Sequence, residues 1–276
     1  MTLVDIGANL THASFREDLD AVLVRARANG VGTIVVTGTS VQESRRAVEL
    51  AEAYPRVLYA TAGVHPHHAR DCNDGTIPAL RALASHPSVV ALGECGLDFN
   101  RNYSPHPDQE KWFEAQLDLA AEIGKPLFLH SRDAHPRFAE VLAARGGKLP
   151  RAVAHCFTGE RDELRAYIDL GLYVGITGWI CDERRGAHLL ELVREIPRDR
   201  MLIETDSPYL TPRNLRPQPR ARRNEPAFLP HILETIAHAL GRPAEEVGAQ
   251  TTRNAHQLFS LHESGASAAS HRPLAA

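Results

Sequence analysis

Four apolar segments of the sequence end in side chains that can bind a divalent cation. Glu94, His130 and His155 stand at the ends of three segments, and Glu204 and Asp206 belong to the end of the fourth. Mixed imidazole and carboxylate ligands suit Mg²⁺, Mn²⁺ or Zn²⁺ and leave coordination positions open to water or substrate. The alternatives are a buried salt bridge with an arginine for Glu94 and ordinary core positions for the histidines. Considered jointly, the residues predict a metal site.

Eight short segments rich in Val, Ile and Leu, each followed by a helical pattern, must position these side chains. Their continuous apolar character is typical of parallel strands that are covered on both faces. The predicted strands are Leu3–Gly7, Gly32–Thr37, Val57–Gly63, Val89–Glu94, Pro126–His130, Ala152–Cys156, Leu172–Ile176 and Met201–Thr205. This alternation predicts an α/β protein, a single-domain (β/α)8 TIM-type barrel over residues 1–260, with a disordered tail over 261–276. A doubly wound open sheet is the main alternative, but its glycine fingerprint after the first strand is missing.

A barrel brings the carboxyl ends of its strands to one mouth, so the polar strand ends should face each other. Period-two alternation puts Glu204 and Asp206 on one face, which lets both carboxylates point inward. His65, in the loop after the third strand, can reach the same mouth and is a candidate substrate or ligand contact. Trp179 and Tyr209 follow the last two strands and could stack on a base, although core packing is the commoner role of aromatic residues.

The composition narrows the class of protein. The chain has 31 Lys and Arg against 34 Asp and Glu, a formal net charge of −3, which argues against a protein that coats duplex DNA. Its four cysteines form no CxxC pair, so we expect small buried apolar residues rather than metal ligands or disulfides. The N-terminus lacks a secretory pattern and no apolar run approaches the roughly 18 residues of a membrane span, which indicates a cytoplasmic protein without membrane contact.

The polar strand ends lie in motifs through which the sequence resembles the TatD family of metal-dependent deoxyribonucleases. The resemblance covers essentially all of residues 3–260 and rests on several long motifs in a fixed order. The motifs are 5–10 (DIGANL), 62–67 (AGVHPH), 93–102 (GECGLDFNRN), 130–134 (HSRDA), 155–159 (HCFTG), 175–179 (GITGW), 204–210 (ETDSPYL) and 222–226 (RRNEP).

The resemblance implies a TIM-type barrel in which Glu94, His130 and His155 are metal ligands. It implies that Asp206 is an active-site carboxylate touching metal or water. It further implies magnesium-dependent 3′→5′ exonuclease activity on single-stranded DNA and RNA, linked to the repair of oxidative damage. The expected cofactor is therefore a divalent cation, Mg²⁺ before Mn²⁺ or Zn²⁺, and the expected partner is a single-stranded nucleic acid.

The end of the first strand departs from the wider family. Many members carry His-x-His there and so gain a second metal position, whereas this sequence has Gly7-Ala8-Asn9. Two imidazole ligands are thus missing, and Asn9 could at most offer a weak amide oxygen. We expect one firmly bound cation, with a second recruited alongside the substrate phosphate.

Phosphodiester hydrolysis needs an activated water in line with the leaving oxygen and neutralisation of charge at the phosphorus. A divalent cation lowers the pKa of its bound water and polarises the phosphoryl oxygen. We expect Glu94 to anchor that cation and His130 and His155 to fix its geometry. Asp206 is placed to accept the proton of the water as general base. Glu204 is the reserve carboxylate, which either supports a ligand or pairs with an arginine.

Arginines supply the predicted phosphate contacts. Arg132 lies two residues beyond His130, and Arg222 and Arg223 belong to the Pro- and Arg-rich segment 212–226. The same segment also contains Arg213, Arg216 and Arg220. Guanidinium groups match phosphate geometry, and a local basic loop can guide a single strand even on an acidic protein. The alternative is a solvated, charge-rich surface loop.

Two other functions remain open. An amidohydrolase-type barrel could use the same ligands on an amide, a lactone or a small phosphoester, although the arginine segment favours a polyanionic substrate. A non-catalytic interaction protein with a vestigial metal site would show no metal-dependent activity. No heptad pattern or large apolar stripe indicates an obligate protein partner.

Overall fold

The computed structural model describes residues 2–219 and 222–261. Eight strands alternate with helices along the chain. The strands are β1 (Leu3–Ala8), β2 (Val31–Val36), β3 (Leu58–Ala62), β4 (Val89–Asp98), β5 (Leu127–Arg132), β6 (Ala152–Ala154), β7 (Tyr173–Ile176) and β8 (Met201–Ile203). The helices are α1 (Leu19–Ala28), α2 (Val41–Ala53), α3 (Thr76–Ala84), α4 (His106–Ile123), α5 (His135–Ala143), α6 (Arg161–Asp169), α7 (Leu189–Leu192), α8 (Leu229–Leu240) and α9 (Ala244–Phe259).

The strands form one parallel sheet in chain order from β1 to β8. The sheet closes because the backbone N–H of Asp206 donates to the carbonyl of Gly7 over 2.8 Å. A second closing bond runs from the N–H of Asn9 to the carbonyl of Ser207 over 2.7 Å. The structure therefore confirms the predicted single-domain TIM-type barrel, and it excludes the open sheet.

Both faces of the strands are buried, which explains their continuous apolar sequences. Side chains such as Ile6 and Phe128 pack inside the barrel, together with residues of α9. Leu261 joins this inner cluster, while the rest of the predicted disordered tail, residues 262–276, lies outside the described residues. A larger apolar layer lies between the outer face of the barrel and the surrounding helices.

Most strands differ in length from the prediction, and the differences in β4, β6 and β8 move the polar residues. Strand β4 continues past Glu94 to Asp98, because its pairing with β5 extends to Asp98 and Arg132. Gly96 permits this close pairing, since a Cβ there would lie 1.9 Å from the carbonyl oxygen of His130. Strands β6 and β8 end earlier than predicted, so that His155 and the segment 204–206 lie in the connections at the barrel mouth.

All four cysteines are free thiols. Cys95 and Cys181 are buried as predicted, whereas Cys72 and Cys156 are partly exposed. Across the two described ranges, no helix is long and apolar enough to cross a lipid bilayer.

Candidate metal centre

Three imidazoles converge on one carboxylate oxygen of Glu94. The Nε2 atom of His155 lies 2.7 Å from Glu94 Oε1, and the Nδ1 atom of His130 lies 2.8 Å from it. The Nε2 atom of His65 approaches the same oxygen to 3.3 Å. We call these four residues the Glu94 cluster. Glu94, His65 and His155 are buried, while His130 is partly exposed.

Four neighbouring elements hold the cluster. Glu94 lies within β4 and His130 within β5, while His155 directly follows β6, where its N–H donates to the Leu129 carbonyl over 2.9 Å. His65 follows β3 and opens a short 3₁₀ helix. Its Nδ1 accepts a hydrogen bond from the N–H of His67 over 3.0 Å, which leaves Nε2 facing Glu94. The parallel arrangement thus brings together side chains from distant parts of the chain.

Glu204 supports the cluster from β8. Its Oε2 lies 3.3 Å from Nδ1 of His155, and its Oε1 accepts the N–H of Cys156. Glycines make room for this carboxylate, because a Cβ on Gly7 would lie 2.4 Å from Oε2 and one on Gly175 would lie 2.6 Å from Oε1. The Glu204 carboxylate therefore occupies the space next to the first position of the missing His-x-His pair, and a side chain at position 7 would displace it.

Asp206 lies at the barrel mouth next to the end of β1. Its Oδ1 accepts a hydrogen bond from the side-chain Nδ2 of Asn9 over 2.9 Å. Asn9 therefore donates its amide N–H to Asp206, a role that the sequence did not indicate. Oδ2 of Asp206 has no hydrogen bond within the described part of the chain.

Asp98 is a site residue that sequence reasoning missed. Its Oδ2 lies 2.7 Å from Nε2 of His67 and 3.5 Å from Nε2 of His130. Its Oδ1 accepts backbone N–H groups of Asn100 and Arg101. The signal was present in the sequence, since Glu94 and Asp98 are four residues apart and share a face of an extended strand. The predicted end of the strand at Glu94 concealed it.

The site is rich in carboxylates, and within the described residues no Lys or Arg side chain lies next to them to balance their charge. Burial alone would raise the pKa of Glu94, yet His155 and His65, with a hydrogen bond to His130, hold it well below its usual range. Desolvation, followed by Glu94 and Glu204, raises the pKa of Asp206 to about 7. No Lys or Arg of residues 2–219 or 222–261 lies within 4 Å of these three carboxylates. The arginine partners considered for Glu94 and Glu204 are therefore wrong.

The histidines respond to the same charges. Burial lowers the pKa of His65 to about 4, an effect that Glu94 only partly offsets. Burial would also lower the pKa of His155, but Glu94 and Glu204 raise it well above its usual range. The ligand atoms of His65, Glu94 and His130 all lie within 4.8 Å of one another and could hold a metal ion. His65, predicted as a substrate or ligand contact, thus belongs to this trio, whereas His155 touches it through Glu94.

Comparison with known proteins identifies the family. A family model described as TatD related DNase matches residues 4–260. The chain belongs to the TatD family. Two curated relatives, the 3′-5′ ssDNA/RNA exonucleases TatD of Pantoea vagans (strain C9-1) and Pectobacterium parmentieri (strain WPP163), are 55% and 52% identical over 259 residues. Each alignment covers 94% of this chain and 100% of the relative.

A solved structure supports the same assignment. The TatD homologue YjjV of Escherichia coli K12 superposes with a TM-score of 0.86 at 29% sequence identity. The match covers 94% of this chain and 98% of that one. As a member of a DNase family, this TatD protein is a hydrolase that acts on ester bonds.

The arginines predicted to bind phosphate lie in more varied surroundings than the residues of the Glu94 cluster. Arg132, the last residue of β5, is partly exposed, and Arg222 is exposed. Arg223 is already engaged, because its Nη2 lies 2.7 Å from carboxylate oxygens of both Asp18 and Glu225. The guanidinium group of Arg223 is therefore paired with carboxylates of the protein itself and does not face the substrate side as a free group.

The remaining arginines of segment 212–226 follow the same trend. Nε of Arg213 lies 3.0 Å from Asp182, and Nη1 of Arg216 donates to the carbonyls of Arg213 and Leu215. Arg220 lies outside the described residues. Local carboxylates and carbonyls thus compete with any ligand for these side chains.

Proposed function

We propose that this TatD protein is a metal-dependent 3′→5′ exonuclease that hydrolyses single-stranded DNA and RNA. The observation that carries the proposal is the convergence of three imidazoles on Glu94 Oε1 at the barrel mouth. Family membership supports a nuclease over an amidohydrolase or a non-catalytic protein, and the two curated relatives carry the name of this activity.

The donor set fits a divalent cation. Glu94, His130 and His155 would hold it, with His65 and Asp206 facing the same space. Buried Nε2 of His130 has no hydrogen-bond partner of good geometry in the described chain, which is consistent with room for a ligand. When bound, such a cation supplies a water of lowered pKa and neutralises charge on a phosphoryl oxygen. We propose Mg²⁺ as the native ion, with Mn²⁺ and Zn²⁺ as alternatives that suit mixed ligands.

The residues around the cation site have distinct proposed roles in the reaction. We propose that Asp206 is the general base, because Asn9 occupies its Oδ1 and leaves Oδ2 to accept the proton of the attacking water. Glu204 orients the ring of His155 through Nδ1, as carboxylates commonly do for metal-binding histidines. Arg132 and Arg222 bind phosphate oxygens. For Arg223, the two ion pairs favour a structural role.

A nuclease assay with a labelled strand tests the proposal directly. A single-stranded oligonucleotide labelled at its 5′ end should give a ladder that shortens from the 3′ end with Mg²⁺ and no ladder with EDTA. The Glu94→Gln protein, purified in parallel, controls for contaminating nucleases, because its preparation should give no ladder. An undegraded strand in every metal, or a ladder that persists in EDTA, would contradict the proposal. A role in the repair of oxidative damage stays a prediction that survival of a deletion strain under peroxide would test.

A further inference from the structure

Two tyrosines stand exposed at the mouth of the barrel. All 16 Phe, Tyr and Trp residues lie in the described ranges, and only Tyr103 and Tyr209 are exposed, at 53% and 52%. Tyr103 lies in the connection after β4 and Tyr209 in the connection after β8. Since β4 and β8 are four strands apart in a closed ring of eight, the two tyrosines stand on opposite sides of the mouth.

A series of edge-to-face rings joins Tyr103 to the Glu94 cluster. The ring centroids of Tyr103 and His67 are 4.7 Å apart, those of His67 and His65 are 4.2 Å apart, and those of His65 and His130 are 4.5 Å apart. Their interplanar angles are 84°, 70° and 63°, a geometry that aromatic pairs favour. The backbone carbonyl of Tyr103 also accepts a hydrogen bond from Arg70. The exposed Tyr103 ring is therefore separated from the Glu94 cluster by one imidazole, that of His67.

Tyr209 is anchored to the opposite wall of the site. Its N–H donates to the carbonyl of Asp206 over 3.0 Å, and its carbonyl accepts the side-chain amide of Asn224 over 2.7 Å. Its ring meets His12 edge to face, with centroids 5.7 Å apart. Trp179, the other aromatic residue considered from the sequence, differs in that the Arg185 guanidinium lies over its ring. Tyr209 therefore offers an open face three residues from Asp206, and Trp179 does not.

We propose that Tyr103 and Tyr209 are stacking platforms for the two nucleobases that flank the scissile phosphodiester. This inference rests on the proposed nuclease function. A phosphodiester at the Glu94 cluster carries one nucleoside on each side, and the tyrosines stand on opposite sides of that cluster. Aromatic stacking binds any base, because every base has a π face. Two adjacent bases drawn to opposite walls cannot remain stacked in a duplex, so the arrangement selects single strands.

Kinetics on two matched substrates test the platforms. The first is a 5′-labelled oligothymidylate, and the second is the same strand with abasic residues at its two 3′-terminal positions. We expect Tyr103→Ala and Tyr209→Ala each to raise KM for the first substrate by about 5- to 150-fold, the range that corresponds to stacking of one base. We expect kcat to change far less, and the increase in KM to disappear on the abasic strand. Tyr103→Phe and Tyr209→Phe, which keep the ring, should restore the KM for the first substrate.

Val24→Ala serves as the control for a change at an exposed apolar side chain, since Val24 lies on α1 and is 68% exposed. If the wild-type protein cleaves both strands and the alanine variants keep its KM on the first, the platforms are wrong and the nuclease proposal stands. An equal rise in KM on both strands would also reject stacking, because the abasic strand has no base to lose. If the wild-type protein cleaves neither strand in any metal, the nuclease function fails first.

Discussion

The Glu94 cluster and the arginine segment 212–226 are both rich in ionisable side chains, yet these side chains are positioned in different ways. In the cluster, groups from four successive strands meet within 3.3 Å of one oxygen atom. In the segment, Arg223 and Arg213 turn to nearby carboxylates of the protein itself, at 2.7 and 3.0 Å. Strand ends are positioned by the hydrogen bonds of the sheet, whereas the side chains of loops pair with the polar groups that happen to lie near them on the surface.

Burial explains what this difference means for function. A buried polar group that lacks a partner costs free energy, so the carboxylate and the imidazoles of the cluster must bind one another or a ligand. Exposed ion pairs contribute little to stability, with a median of about 0–1 kcal/mol. We therefore expect substitutions in the cluster to change catalysis by orders of magnitude. Substitutions in the segment should change binding or stability modestly.

The largest effect is expected at the centre of the cluster. Glu94→Gln removes the negative charge that three imidazoles share, and turnover of a labelled single strand should fall by at least about 10³-fold, as when a metal or oxyanion contact is lost. Glu49→Gln, at an exposed position of α2, is the matched control and should keep wild-type turnover. Near-normal turnover of the folded Glu94→Gln protein would remove the cluster from catalysis.

Asp206 should rank next. Asp206→Asn preserves size but cannot accept a proton, so kcat should fall by about 10²- to 10⁴-fold, the range typical of a lost general base. Circular dichroism should show an unchanged fold. Retention of wild-type kcat would assign the base to another group.

Glu204 should have a smaller effect that acts through His155. Glu204→Gln weakens the contact that orients the imidazole, and the Mg²⁺ or Mn²⁺ concentration needed for half-maximal activity should rise about 10- to 100-fold. The decisive readout is the metal titration, since saturating metal should recover most of kcat. A loss of kcat that no metal concentration restores would argue for direct participation of Glu204 in chemistry.

Two neighbouring arginines test the comparison, because replacing Arg222 should affect substrate binding whereas replacing Arg223 should affect stability. Arg222→Ala should raise KM and lower the salt dependence of binding by about one unit of slope, as expected for one phosphate contact. Arg223→Ala breaks charged hydrogen bonds to Asp18 and Glu225, and we expect a loss of about 1–2 kcal/mol in the free energy of unfolding. Urea denaturation and steady-state kinetics on both variants separate the outcomes. If Arg223→Ala raised KM and Arg222→Ala lowered the free energy of unfolding, Arg223 and not Arg222 would contact the substrate.

The smallest effect concerns pH. Hydrogen bonds from Arg223, and secondarily from Arg25, lower the pKa of Asp18 to about 2. Because this folded-state value lies below the unfolded value, the pair stabilises the fold above about pH 4 and ceases to do so as the pH falls toward 2. Asp18→Asn should therefore cost under about 1 kcal/mol at pH 7, since the carboxylate is partly exposed. That cost should be much smaller in melts at pH 2, where the pH reaches the folded-state pKa, and a cost independent of pH would contradict the assignment.

Much of the molecule was predictable from the sequence for definite reasons. Continuous apolar strands separated by helical patterns indicated a parallel barrel, and the barrel placed Glu94, His130 and His155 at one mouth. Strand ends were less predictable, because β4 continues through glycines and polar residues that a hydrophobic pattern does not mark. Asp98 was missed for that reason.

The sequence by itself determined the order of the strands and which of them carry polar ends, because hydrophobic periodicity and helix alternation are local properties. Only the tertiary structure decided that His65 shares an oxygen with His130 and His155, that Asn9 donates to Asp206, and that Arg223 is engaged. The last two pairings join residues 197 and 205 positions apart. Such choices depend on distances and burial that arise only when the ring of strands closes.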